Sequence, residues 1–420
     1  MLRSIFIHII LIFLLQASTP FISFCFPVSI DSSYDLLIKG SRVYDPRSGM
    51  KGKYDVAIRG NKIVRISKKL DPASSRKVIS VKNAWIVPGL IDIHTHVFAG
   101  SQSGKFADGT SSVNPDIYCP MNGITTVVDA GTAGWRNFMD FKKQVIQNSR
   151  TRVLAFLNIA GAGMAGKPME EDTADMRWQP VQSLLATESE YIVGFKVGHY
   201  TGEGNHPMEA ARTMGDLAKL PVFVECHLPK IPLNTQLSFL KAGDIMTHCF
   251  EQVAEREPFI QRDGNVLPTV LDAKERGVLF DLGHGGAGFW FDQGIPAIQQ
   301  GFLPHTLGTD LHRNSMSASM KSMPNVMSKF LAMGVSFYDV ITRCTWNAAQ
   351  AILRTDLGQI KEEGIADLTL LRLERGTFGF SDAGGKRITG KRRIAVELTV
   401  RDGKIIWDQQ GRIAEAWYLN

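Results

Sequence analysis

The chain has 420 residues, 44% of them hydrophobic and 21% charged, enough for one large domain and a smaller companion around a substantial core. The formal net charge is +6, but lysine and arginine are scattered apart from the loop-like run GGKRITGKRR (384–393), which reads as a solvated loop, so no nucleic-acid partner is expected. Cys119, Cys226, Cys249 and Cys344 show no CxxC or other zinc spacing and read as buried thiols.

At the N-terminus, Arg3 precedes the apolar run Ile5 to Leu15, which Gln16, Ser18, Thr19 and Pro20 interrupt. That is the size of a signal-peptide core and short of the roughly 20 apolar residues of a spanning helix. Residues 1–30 are therefore expected to be a signal peptide or an N-terminal anchor. Export to a periplasmic or extracellular space follows, with membrane contact only through an uncleaved leader. The residues before Cys25 lack the small side chains of a lipoprotein signal.

Two regions far apart in the chain carry the same pattern. YDLLIKGSRVYD (34–45) and DVAIRGNKIVRIS (55–67) near the start, and ADLTLLRLE (366–374) and VELTVRDGKIIWD (396–408) near the end, alternate apolar and polar residues. Gly-Asn and Asp-Gly are their turn signals. Segments 31–88 and 355–420 are expected to join as one small β-sandwich, with 89–354 inserted between them.

The insert alternates short strand-like runs with longer helical stretches. Eight runs are legible: LIDIHTH, GITTVVDAGT, RVLAFLNIAG, YIVGFKVGHY, LPVFVECH, DIMTHCF, GVLFDLGHG and HTLGTDLH. Eight such units close a (β/α)8 TIM barrel, so the fold class is α/β. An open doubly wound sheet is the alternative, but no GxGxxG or GxxxxGKS loop follows the first strand.

In a barrel the chemistry sits where strands end. Here that level carries His94 and His96 on the first strand, Lys196 on the fourth, His227 on the fifth, His248 on the sixth and Asp310 on the eighth. Two imidazoles one residue apart on a strand point to one side and suggest a metal. Lys196, between Phe195 and Val197, is an ammonium on a buried face, costly unless neutralised or modified. Cys226 and Cys249, each beside a histidine, should face the surrounding helices.

This ordered set, with PGLIDIHTH at its head, resembles the amidohydrolase superfamily over nearly the whole chain. The resemblance implies a carbamate on Lys196 and two divalent cations. His94, His96 and Asp310 would hold one, His227 and His248 the other, and the carbamate and a hydroxide would lie between them. Imidazole and carboxylate donors suit zinc, with manganese and iron as alternatives. Asp310 would be the catalytic acid and base. His284, in FDLGHGG, is expected either to bind substrate or to serve structure. The stretches GFKVG, FDLGHGG and LGTDLH are similar to the amidohydrolase/deacetylase group, which implies deacylation of a small N-acyl or O-acyl compound. A cyclic amidase of hydantoinase or dihydroorotase type is the alternative, but Phe98 stands where dihydroorotases carry a substrate-gripping arginine, and the third strand offers no tyrosine. Gly198 and Gly288 depart from the arginine and serine common in the deacetylase group. A non-catalytic scaffold barrel is the reading of another class, and the full ligand set speaks against it. The expected partner is a small-molecule substrate, with a homo-oligomer left open.

Overall fold

The computed structural model describes residues 33–100, 111–225, 228–254 and 256–414. The leader, 1–30, and with it Cys25, and also Cys226 and His227, lie outside the described residues. Among the described residues no helix is long and apolar enough to cross a membrane.

The two chain ends build one hydrogen-bonded sheet. Strands β1 (Tyr34–Asp45), β2 (Met50–Arg59), β3 (Lys62–Ser67), β4 (Ser75–Ser80) and β5 (Trp85–Pro88) come from the start of the chain. The rest of the sheet lies beyond the barrel. β5 is the seam: it runs parallel to β1 through Arg42–Trp85 and antiparallel to the late strand Leu368–Ser381 through Leu370–Ile86. The Gly-Asn turn joins β2 to β3 as expected. The sheet curls over its own core of Leu36, Ile38, Ile58, Ile79, Leu368 and Leu398. Its early and late hairpin turns touch: a Cβ on Gly403 would lie 1.9 Å from the carbonyl oxygen of Gly60.

Seven parallel strands follow in order: β6 (Leu90–Thr95), β7 (Ile124–Gly134), β8 (Arg152–Asn158), β9 (Ile192–Val197), β10 (Val222–Glu225), β11 (Ile245–Thr247) and β12 (Leu279–Phe280). They match the first seven runs read from the sequence, and β6 to β9 are buried along almost their whole length because helices cover one side and the barrel interior the other. The eighth run closes the ring through single bridges, Asp281–Thr306 on one side and Thr95–Leu311 on the other. The amide of His96 donates to Leu311 O at 2.8 Å and that of His284 to Gly308 O at 3.1 Å.

The surrounding helices follow the apolar spacing. His206–Ala218 starts with Pro207 in its first turn, ends at Lys219 in the left-handed conformation, and buries Met208, Ala211, Met214 and Gly215 on one face. Inside the barrel, Ile91, Val128, Leu154, Phe156 and Phe223 fill the floor. Phe156 and Phe223 stack at 4.7 Å.

After the barrel the chain returns to the sheet as β13 (Leu368–Ser381), β14 (Arg387–Arg401) and β15 (Lys404–Asp408). The basic run spans the tip of the β13–β14 hairpin, where Lys386 pairs with Asp292 and Arg393 with Glu374, each at 2.5 Å. Cys119, Cys249 and Cys344 are buried, and Cys249 packs in the core outside the strands.

Candidate metal centre

His94 ends the regular part of β6, and a register shift between Asp92 and Thr95 loosens the strand there. Both histidines nevertheless converge on one carboxylate oxygen, Asp310 Oδ1: His94 Nε2 lies 3.6 Å away and His96 Nε2 3.2 Å. Their other nitrogens are pinned. His94 Nδ1 meets Thr247 Oγ1 at 3.0 Å and Asp281 Oδ2 at 3.4 Å, and His96 Nδ1 meets Thr132 Oγ1 at 2.9 Å. Because Thr247 donates its hydroxyl proton to Asp281 at 2.8 Å, the proton on His94 sits on Nδ1 and the lone pair on Nε2. Burial lowers the His94 pKa to about 4, so the ring is neutral and free to ligate at physiological pH. His94 Nε2 is fully buried and has no hydrogen-bond partner among the described residues, an arrangement that costs free energy unless something electrophilic fills it.

Asp310 adopts φ +50°, left-handed backbone that aspartate tolerates better than most side chains. Asp92 holds that turn, accepting from Thr309 N at 3.0 Å and Thr309 Oγ1 at 2.5 Å. Gly285 makes room for the carboxylate, since a Cβ there would lie 2.3 Å from Asp310 Oδ2. Burial works to raise the Asp310 pKa, but His94, His96 and His312 outweigh it and hold the carboxyl well below its usual range.

On the other side of His94 stands a different arrangement. Lys196 is 1% exposed, and its Nζ donates to Glu225 Oε1 at 2.5 Å and Ala130 O at 3.1 Å. Its stem passes over Gly131, where a Cβ would lie 2.4 Å from Lys196 Cγ, and its ammonium sits 5.1 Å above the Phe223 ring. Glu225 Oε1 is 4.0 Å from His94 Nε2, and Oε2 is 3.2 Å from His199 Nε2. The charge of Glu225 raises the His199 pKa to about 9 against the effect of burial. His248, at φ +59°, turns its Nδ1 onto Gly283 O at 2.7 Å. Two donor sets result, His94–His96–Asp310 and His94–Glu225–His248, each with its ligand atoms within 4.8 Å of one another. Buried imidazole and carboxylate donors at these separations fit a divalent cation.

No family model matches the chain. A deacetylase from Agrobacterium fabrum (strain C58) is 33% identical over 334 residues, covering 76% of this chain and 80% of the relative. The chain belongs to the deacetylase family of the amidohydrolase superfamily. Among solved structures, an adenine deaminase superposes with a TM-score of 0.80 at 25% identity, covering 89% of this chain and 100% of that one. A dihydroorotase does so with a TM-score of 0.77 at 28% identity, covering 89% and 99%. The amidohydrolase fold expected from the eight runs is therefore the fold observed, and the chain is a hydrolase of carbon–nitrogen bonds.

The amidohydrolase barrel brings together His94, His96, Lys196, His248 and Asp310 as the strand-end pattern anticipates. For His284 the sequence leaves two roles open, substrate contact or structure. It is fully buried, with Nδ1 on Gly285 O at 3.0 Å and Nε2 on Lys329 Nζ at 2.7 Å, so both ring nitrogens are already engaged. Glu225, Asp281, Thr132 and Thr247 were not singled out from the sequence. Glu225 was within reach of the same alternation that singled out the histidines: it precedes His227 by two residues in VFVECH. The threonines carry no such signal, because a hydroxyl behind a ligand is set by cross-strand register.

Proposed function

We propose that this amidohydrolase is a binuclear metal-dependent deacylase of a small N-acyl or O-acyl compound. The observation that carries the proposal is the convergence of His94 Nε2 and His96 Nε2 on Asp310 Oδ1, with His94 Nε2 buried and lacking a hydrogen-bond partner among the described residues. His94, His96 and Asp310 would hold one cation. His248, with His227 from outside the described residues, would serve the other. Zinc suits these donors, and bound there it would polarise the acyl carbonyl and lower the pKa of a water to roughly 7. Lys196 is proposed to react with CO2: one N–C bond forms, two protons leave to solvent, and the buried cation becomes a carboxylate between the two donor sets.

Asp310 does the proton work. Held ionised, it takes a proton from the attacking water and passes it to the departing nitrogen or oxygen, so that water and an amide or ester become an acid and an amine or alcohol. A cavity of about 710 Å3, lined by His199, Thr201, Glu251, Arg256 and Ala287, reaches the centre through His199, whose Nε2 lies 3.2 Å from Glu225 Oε2, and has room for a small acyl compound. Phe98 is fully buried and offers no cationic clamp, which favours the deacylase over a dihydroorotase. The apolar run from Ile5 to Leu15 supports an exported enzyme.

The test is a screen of N-acyl amino acids, lactones and acetyl esters with protein supplied with zinc and bicarbonate. Hydrolysis is expected, and Asp310→Asn should lower kcat/KM by about 10²–10⁴-fold with the fold intact by circular dichroism. Wild-type protein that takes up no metal under these conditions defeats the proposal.

A further inference from the structure

Glu225 is buried deep in the barrel and belongs to neither the expected ligand set nor the proton path above. β10 places it by register. Phe223 pairs with Lys196 across one neighbouring strand, Glu225 pairs with Thr247 across the other, and side chains two apart share a face. Phe223 lies under His94 with ring centroids 5.0 Å apart. Glu225 therefore stands one layer higher on the same inner wall, level with the threonine that orients His94. Its Oε1 is 4.0 Å from His94 Nε2, and its ligand atom groups with those of His94 and His248.

The charges set the problem. Glu225 is 2% exposed, and a buried carboxylate must be matched by a cation. His199 Nε2 faces Oε2 at 3.2 Å, and Lys196 is the nearer match, with Nζ 2.5 Å from Oε1. Carboxylation of Lys196, as proposed above, turns that neighbour from an ammonium into an anion, a change of two charges at hydrogen-bond distance. Glu225 would then face a like charge in a low-dielectric interior, where a few ångströms' separation makes repulsion severe. An incoming cation resolves this, and His248 already offers a ligand atom within 4.8 Å of that of Glu225.

We propose that Glu225 is a ligand of the second cation, beside His248, and that it exchanges Lys196 for the metal when the lysine is carboxylated. This rests on the binuclear reading above. Uptake of CO2 and of the second cation are thereby coupled, each removing the charge conflict that the other would create.

The experiment measures zinc per chain by elemental analysis after reconstitution of the full protein with zinc and bicarbonate, and the visible spectrum of the cobalt-loaded form. Wild type should hold about two ions, Glu225→Gln about one, and Glu225→His, which restores a donor, about two with a shifted cobalt spectrum. Glu225→Asp keeps the charge and should fold even where the others do not. Its shorter reach should release the second ion at about a tenth of the chelator concentration that wild type needs. Two zinc ions in Glu225→Gln, or a Glu225→Asp chelator profile identical to wild type, overturn the ligand role and leave the deacylase proposal standing. No zinc in wild type overturns both.

Discussion

His94, His96 and Asp310 meet with their lone pairs turned on one point, whereas Lys196 and Glu225, on neighbouring strands, neutralise each other. The first set is preorganised: threonine hydroxyls and Asp281 fix its rings, and its cost is a His94 nitrogen with no hydrogen-bond partner among the described residues. The second set is an ion pair, Lys196 Nζ on Glu225 Oε1 at 2.5 Å, and under the proposed function it exchanges that pairing for a cation. One barrel mouth thus holds imidazoles that converge on a carboxylate beside a buried ion pair whose charges answer each other.

The largest effect should come from breaking the ion pair. In chelator-treated protein, Lys196→Met strands the Glu225 charge and should cost about 3 kcal/mol, the low end for a broken buried pair because His199 still meets Oε2. Urea denaturation reads it, and adding Glu225→Gln should return most of the loss. A full-size loss in the double variant would mean that the two residues do not act as a pair.

A smaller effect sharpens the preorganised half. Burial works to raise the Asp281 pKa, but hydrogen bonds from His94, Thr306 and Thr247 hold it below the usual value, so it stays ionised behind the ligand. Asp281→Asn should weaken zinc binding by about 10–100-fold in a chelator competition, as loss of a group that orients a ligand does. Unchanged affinity would show that Thr247 alone orients the ring.

A pH-dependent effect concerns a second buried lysine. Lys329, fully buried, is held by His284 Nε2 and Ser319 O, each at 2.7 Å. Burial lowers its pKa from 10.5 to about 7, with the charge of Lys321 adding to the shift. Between those values the unfolded chain binds the extra proton, so this residue makes stability rise with pH through that window and contributes no slope below about 7. Lys329→Met should lose the rise: wild type should gain on it between about pH 7 and pH 9.5 in urea titrations. A constant difference across that range would count against a lysine that titrates this low.

Much of the fold was open to reading because its signals are local. The Gly-Asn and Asp-Gly turns announce hairpins β2–β3 and β14–β15, and both form. The strand runs are bounded by turn residues, and both faces of β6 to β9 are buried. The eighth run, HTLGTDLH, forms bridges and not a regular strand. Gly308 and Asp281 are crowded there, and a Cβ on the glycine would come within 2.6 Å of the carboxylate. Spacing shows that such a run belongs to the barrel and cannot show how it pairs.

By itself the sequence determined which residue types stand at the strand ends, because alternation with period two and turn placement are properties of neighbours in the chain. It thereby settled the α/β barrel, the composite sheet, and His94, His96, Lys196, His248 and Asp310 as one constellation. Only the tertiary structure decided what those groups do to one another. That Asp281 and two threonines lock the imidazoles, that His284 turns to Lys329, and that Lys196 is answered by Glu225 all depend on register between strands tens of residues apart. Cross-strand register is set by packing the whole barrel, and burial is what gives each of those contacts its energetic weight.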